Sequence, residues 1–276
     1  MNDFEQIQKL LSEKGDLQAR ISTSAFDGSI EVKLLNGEQY IYIRKKIAGK
    51  NTSTYLDKFS EELYAFAVRQ AQQLRAVKKR LRQVEKELAA LGYEGHELSA
   101  RVRLNIDFAR ANVKNLIYDQ AVLEGVSTTF PQTEAILENG ELYGVKASDV
   151  QKIINLKRSW EFIVDPDVVS SACNFYLLSH IARIVNEGFF ENGGAVRSVP
   201  VSIGGSSYVP PLPIESDVKQ RIDELTRANP VSIETAIEIA LYCMKTQIFI
   251  DGNKRASIIF ANHYTIQHGL GLLVVP

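Results

Sequence analysis

Five consecutive residues close to the C-terminal end, Asp251, Gly252, Asn253, Lys254 and Arg255, carry the densest chemistry in this 276-residue sequence. They sit between two apolar segments of helical spacing, Ile233 to Met244 and a run that begins near Lys254. Gly252 allows the backbone to turn sharply. The amides of such a turn, with those opening the next helix, can converge on an anion, and the helix dipole favours negative charge there. Lys254 and Arg255 in a first helical turn oppose that dipole unless an anion sits between them. Asp251 adds a hard oxygen suited to Mg2+, which commonly bridges nucleotide phosphates. Asn253 can donate its side-chain amide to a phosphate oxygen. The plainer alternative for the same pentapeptide is a helix–turn–helix corner with an Asp-Gly turn and two exposed cations.

The elements that must position this loop are mostly helices. Apolar spacing predicts them over 98–118, 132–138, 148–162, 167–188, 215–228, 232–246 and 254–268. Ala195 to Pro213 interrupts them. Within it Val199, Val201 and Ile203, then Gly204-Gly205, then Tyr208, read as two short strands around a turn. A lone hairpin is marginal by itself, so a flap of this kind has something to bind.

The first third of the chain has a different pattern. Residues 1–20 read as a short helix or a loose tail. Ile30, Val32 and Leu34 alternate before Asn36-Gly37, and Tyr40 to Lys46 follow, the strongest short-range signal for a β-hairpin. A turn at Ala48-Gly49-Lys50 leads to a third strand over Thr52 to Leu56. From Phe59 to Leu91, residues Leu63, Phe66, Gln70, Leu74, Val77, Leu81, Val84, Leu88 and Leu91 form a narrow a/d-type stripe. That helix needs a partner, either a second copy of the chain in a homodimer or the helices after His96. The fold expected is mainly α: a β-hairpin and long-helix unit over 1–95, then a helical domain with a β-hairpin flap over 96–276.

Bulk properties narrow the setting. A net charge of −1, with 45% hydrophobic and 24% charged residues, fits an ordinary globular protein without a single-sign field. Cys173 and Cys243 are too few for a disulfide framework and read as buried small hydrophobes, which favours a reducing, cytoplasmic setting. Met1 to Gly15 lacks the apolar core of a signal peptide, and no apolar run approaches the ~20 residues of a membrane span. Lys33 to Lys86 holds a local excess of cations, including Arg44-Lys45-Lys46, Lys78-Lys79-Arg80 and Arg82, with Tyr40 and Tyr42 nearby. This pattern suits a nucleic-acid partner. The default reading of such a run is a solvated helix face, because Glu61, Glu62, Glu85 and Glu87 interrupt it, and a nucleic-acid partner is the exception.

The string from Gln247 to Arg255 resembles the signature of the Fic/Doc (Fido) family, which runs His, any residue, Phe, any residue, Asp or Glu, Gly, Asn, Gly or Lys, Arg, and a last Arg three residues on. Phe249, Asp251, Gly252, Asn253, Lys254 and Arg255 match in order. Asn262 falls where many relatives carry an Asn. Val196 to Val201 with Tyr208 to Pro211 resembles the family flap, and Leu123-Glu124-Gly125 with Thr128-Thr129 resembles its inhibitory-helix region. The resemblance covers about 100–276 and implies transfer of AMP, another nucleotide part, or phosphate from ATP or another nucleotide, with Mg2+, to a hydroxyl of a target protein docked on the flap. It implies that Asp251 holds the metal, that Gly252, Asn253, Lys254 and Asn262 line the nucleotide pocket, that Arg255 meets transition-state charge, and that Glu124 inhibits.

Three departures follow. Gln247 stands where the family has its general-base His, and glutamine has no accessible pKa for that task. Lys254 resembles the Doc branch, which implies phosphate transfer and a toxin–antitoxin setting. Ile258 replaces the last signature Arg. The resemblance with these losses implies a nucleotide- or phosphate-binding protein of little transferase activity. The alternatives are an active Doc-like phosphotransferase or residual AMP transferase, and a regulatory or interaction module acting through the basic N-terminal unit.

Overall fold

A computed structural model of the chain describes residues 3–24, 26–47, 50–95, 97–139, 145–203 and 207–275. Among these are ten helices and one three-stranded sheet.

The first helix, α1 (Asp3–Thr23), is longer and firmer than a loose tail. Its Leu10, Leu11 and Leu17 are buried against Val84 and Leu88 of α2 (Glu61–Ala90), with Ile7, Val77, Leu81 and Leu91 packed around them. The long stripe of α2 therefore finds its partner helix before it in the chain. The expectation that the helices after His96 supply this partner is corrected here: α1 covers the C-terminal half of the stripe, and Phe66 near the other end is exposed. Between the two helices lies an antiparallel sheet in the order β1 (Ser29–Leu35), β2 (Glu38–Ile47), β3 (Lys50–Lys58). Asn36 and Gly37 have φ of 52° and 82°, the paired left-handed residues that a two-residue hairpin turn needs. Ile41 and Ile43 are buried and alternate with Tyr40 and Tyr42 on the other face.

The remaining helices are α3 (Ala100–Leu123), α4 (Phe130–Asn139), α5 (Ala147–Ile163), α6 (Pro166–Ser170), α7 (Phe175–Val185), α8 (Glu215–Thr226), α9 (Ile233–Thr246) and α10 (Asn253–Gln267). The single helix expected over 167–188 is two. Ser171 leaves the helical region, and Asn174 accepts from the Leu177 amide to cap α7, so the four residues from Ser171 to Asn174 end one helix and start the next. α10 is buried almost all round and packs on α7, α9 and α5. Trp160, Phe249, Phe260 and Tyr264 fill the core around it. No described helix is long and apolar enough to cross a membrane.

Helix α1 also joins the helical core. A Cβ on Gly15 would lie 2.4 Å from Val168 Cγ2 and 3.1 Å from the Phe162 ring, so α1 approaches α5 and α6 as closely as only glycine permits. At the next residue, buried Arg158 of α5 donates to Asp16 Oδ1, and it also donates to Glu187 Oε2, each at 3.0 Å. Arg20 donates to Asp16 Oδ2 at 3.0 Å and to Glu187 Oε2 at 2.7 Å. Burial alone would raise the Asp16 carboxyl, but Arg20 and Arg158 outweigh it and hold it below its ordinary range.

Two histidines in this core set an acid limit. His263 is fully buried with Nε2 at 2.9 Å from the Val168 carbonyl, and burial pushes its pKa down to about 4. Burial and then Arg183 push His180 down to about 4 as well. A depressed imidazole pKa means that the unfolded chain takes up protons the folded one refuses. Its stability is fully present above pH 6.5 and is lost as pH falls from 6.5 towards 4, by up to about 3 kcal/mol per histidine. Urea denaturation at pH 7 and pH 4.5 is expected to show this loss, with a shallower slope in His263→Gln. Equal stabilities at the two pH values refute it.

Candidate functional site

Helix α9 ends at Gln247, whose φ of 48° turns the chain left-handed into the loop. Gln247 Nε2 donates to the Met244 carbonyl at 2.7 Å, and Oε1 accepts from Asn253 Nδ2 at 3.2 Å. Its amide is thus a cap and a staple. Ile248 and Phe249 anchor the loop by burial. Asn253 brackets Phe249, accepting from its amide at 2.9 Å and donating to its carbonyl at 2.8 Å. The side chain expected to face phosphate therefore shapes the loop from inside.

Gly252, with φ of 70°, is the N-cap of α10, and no side chain caps this helix. A Cβ at that position would lie 2.8 Å from both Asn186 Oδ1 and Val185 Cγ1. Asn186, wholly buried at the end of α7, donates to the Asp251 carbonyl at 2.9 Å and to the Gly193 carbonyl at 3.0 Å. The loop is thus held from below by a residue that sequence reading missed. An Asn at a helix end signals a cap, and nothing local says that it reaches a loop 65 positions away.

Arg255 is 2% exposed although it is a cation. Its guanidinium touches three groups: Asp251 Oδ2 at 3.1 Å, the Val185 carbonyl at 3.3 Å, and Glu124 Oε2, 3.3 Å from Nε. Nε itself has no well-directed hydrogen bond. Glu124 comes from the end of α3, and Lys254 Nζ reaches the Leu123 carbonyl of the same helix end at 3.5 Å. The geometry brings Gln247, Asp251, Gly252, Asn253, Lys254, Arg255 and Glu124 together.

Asn262 lies apart from them. Its Nδ2 donates to the carbonyls of Ile258 and Leu273, and its Oδ1 accepts from the Leu273 amide, all at 2.9 Å. That amide ties the C-terminal segment to α10 and leaves nothing for nucleotide. Ile258 is buried in the core. His263, more than two turns beyond Arg255, is bonded to Val168 instead of facing the loop.

The flap differs from expectation in form. No strand occurs among the described residues of 195–213, and Gly204 and Gly205 lie outside the described residues. Pro200, Pro210, Pro211 and Pro213 bring no N–H to a ladder. Arg197 takes the carbonyls instead. Its guanidinium donates to Gln247 at 2.5 Å, Val199 at 2.8 Å, Pro211 at 2.6 Å and Pro210 at 3.3 Å, and its amide donates to Ile248. One arginine thereby binds the flap's two arms to the loop. Val199 and Tyr208 are 45% and 43% exposed, and Val201 and Ile203 are half-buried.

Among the described residues no group of three or more His, Cys, Asp or Glu is placed to hold a metal. Asp251 is the one acidic side chain of the loop, half exposed. A single carboxylate fits Mg2+ that arrives on nucleotide phosphates, since this ion keeps waters and phosphates as its other ligands. A cleft of about 800 Å³ lies elsewhere, between α1, α2 and α7, lined by charges of both signs.

Residues 173–265 match the model of the Fic/DOC family. Among solved structures, a fragment of Fic-1 from C. elegans matches with a TM-score of 0.52 and 18% identity over 79% of this chain. A variant of that fragment matches with a TM-score of 0.53 and the same identity. At that identity the likeness is one of fold. The chain covers 66% of each of those structures, just under two thirds of their length. No curated protein matches the chain.

Proposed function

We propose that the chain binds an Mg2+–nucleotide weakly at the Asp251–Arg255 loop and transfers AMP or phosphate to a protein hydroxyl only slowly, with Glu124 holding the site in a restrained state. The observation that carries this reading is the seat of Arg255. A buried guanidinium beside an uncapped helix N-terminus, shared between Asp251 and Glu124, is what remains when a phosphate partner is replaced by carboxylates. In this reading Asp251 holds the metal, which neutralises phosphate charge. The opening amides of α10 and Arg255 hold the phosphates, and Lys254 adds charge from the rim. Gln247, bonded to Met244 and Asn253, orients the loop and takes no proton. The target's segment docks along the irregular arms 198–203 and 207–213, against exposed side chains such as Val199 and Tyr208. The site is read for a cytoplasmic setting.

A second reading rests on Lys254. A flexible cation at this position suits a nucleotide held with its γ phosphate towards the acceptor, which gives phosphotransfer in the Doc manner. One experiment separates the two. The protein is incubated with Mg2+, lysate and ATP labelled at the α or the γ phosphate, and ATP binding is followed by calorimetry. Slow α-label transfer supports AMP transfer, and γ-label transfer supports the Lys254 reading. No transfer together with no ATP binding, even in Glu124→Gly, sinks both.

A further inference from the structure

The solvent face of α2 takes no part in the loop chemistry. At 3.6 residues per turn, Leu74, Val77, Leu81, Val84 and Leu88 share the sector turned towards α1. Arg75, Lys79, Arg82 and Lys86, at steps of four, three and four, share a sector roughly opposite. All four are exposed, and none has an ion pair among the described residues. The cations on either side of this stripe differ. Lys78 is bonded to Asp27 at 2.6 Å, and Arg80 is shared by Glu13 at 2.6 Å and Glu87 at 2.9 Å. The flanking charges are therefore neutralised within the molecule, while the stripe keeps its own. Gln72, Ala76, Gln83 and Ala90 beside it are uncharged, and Glu85 and Glu87 fall outside its sector.

We propose that this stripe docks the phosphodiester backbone of a nucleic acid. Its four cations extend over about 16 Å of helix. A nucleic-acid strand presents one charge per roughly 3.4 Å, so the stripe lies beside about five phosphates in a row. Its linear order matches a linear anion. A membrane is the competing anionic surface, but a lipid-bound helix must place an apolar face in the acyl boundary. The apolar face of α2 is buried on α1. Contacts of this kind hold the backbone and read no bases, so binding is independent of sequence.

Fluorescence anisotropy of the full chain with labelled duplex DNA, duplex RNA and single-stranded oligonucleotides, across 50–200 mM salt, tests this. At least one arm is expected to bind with a Kd of about 10⁻⁴–10⁻⁶ M at physiological salt, weakening about a hundredfold over the salt range. Arg82→Ala and Lys79→Ala are each expected to lower the salt slope by about one. Lys78→Ala, at a cation already paired with Asp27, leaves the slope in place. These side chains are exposed, so circular dichroism and urea midpoints stay at wild-type values. The proposal is overturned by absence of binding in every arm at 50 mM salt, by a slope indifferent to Arg82 and Lys79, or by anionic vesicles that bind as well and compete. It stands or falls independently of the nucleotide loop, and ATP with Mg2+ is expected not to displace the oligonucleotide.

Discussion

Replacing Gln247 by His is expected to raise label transfer from ATP to protein by about 10²-fold or more, the low end of what a positioned general base contributes. The backbone is ready for the change. Gln247 sits at φ 48°, in a left-handed region that His visits more readily than most residues, so the substitution introduces no new strain. The side chain leaves bonds to Met244 and Asn253, which are loop-shaping contacts worth about 1 kcal/mol each, and an imidazole nitrogen can still accept from Asn253. Because Glu124 shares Arg255, the measurement is best made with Glu124→Gly in both arms, so that the restraint is equal. A rise seen only with α-labelled ATP assigns the chemistry to AMP transfer. If Gln247→His binds ATP and transfers no faster, the missing base is not what limits the site. The limiting losses are then Lys254 or the buried Ile258.

The second large effect concerns stability. Arg158→Ala is expected to cost about 3–5 kcal/mol, because removing one partner of a buried ion network strands the others. Asp16 is 7% exposed and would keep only Arg20, which is itself partly in solvent. A loss of that size is a large share of the 5–15 kcal/mol that holds an ordinary domain together. The network is not worth that much as a stabiliser. Replacing Asp16 and Arg158 together by Leu is expected to recover most of the loss, since a well-packed apolar pair avoids the desolvation penalty. The pH dependence has a definite sign. Buried Asp16 and half-buried Glu187 are both held below the ordinary carboxylate range, by Arg20 and Arg158 against the opposing effect of burial. Their contribution is present above about pH 4 and is lost as pH falls further, so Arg158→Ala flattens the acid limb of the curve. Urea midpoints for wild type, Asp16→Leu, Arg158→Leu and the Leu double close a thermodynamic cycle. A loss under 1 kcal/mol for Arg158→Ala shows that water already screens the network.

What could be read from the residues beforehand follows a physical line. Gly252 was legible because only a glycine suits a left-handed helix start packed on a neighbouring side chain, and Asn36-Gly37 because a two-residue hairpin demands that pair. Periodicity exposed the long stripe of α2, since one face of a helix repeats in sequence. It did not reveal that α1 is the partner, because Ile7, Leu10, Leu11 and Leu17 make a short pattern that fits a tail as well as a helix. Arg197 and Asn186 escaped for another reason. Their work is to bond carbonyls 50 and 65 positions away, and a single polar residue has no period to announce its partner. Asn262 matched a family position by spacing, while its bonds go to Leu273. Spacing along a helix says where a side chain starts, and the tertiary neighbours decide what it meets.

Val185, Asn186 and Glu187 are three adjacent residues with three different duties. The Val185 carbonyl receives Arg255 and Asn155, the Asn186 amide holds Asp251, and the Glu187 carboxylate receives Arg20 and Arg158. Each duty binds a separate part of the chain, and none can shift along the backbone without dragging the other two. Substitutions in this stretch are therefore bound to be pleiotropic: a change that suits the N-terminal helix is felt at the phosphate loop. Their effects with changes at Arg20 or Asp251 will not add. Variation in loop chemistry has freedom on its outer side, at exposed Lys254, and almost none on the inner side where these three residues meet.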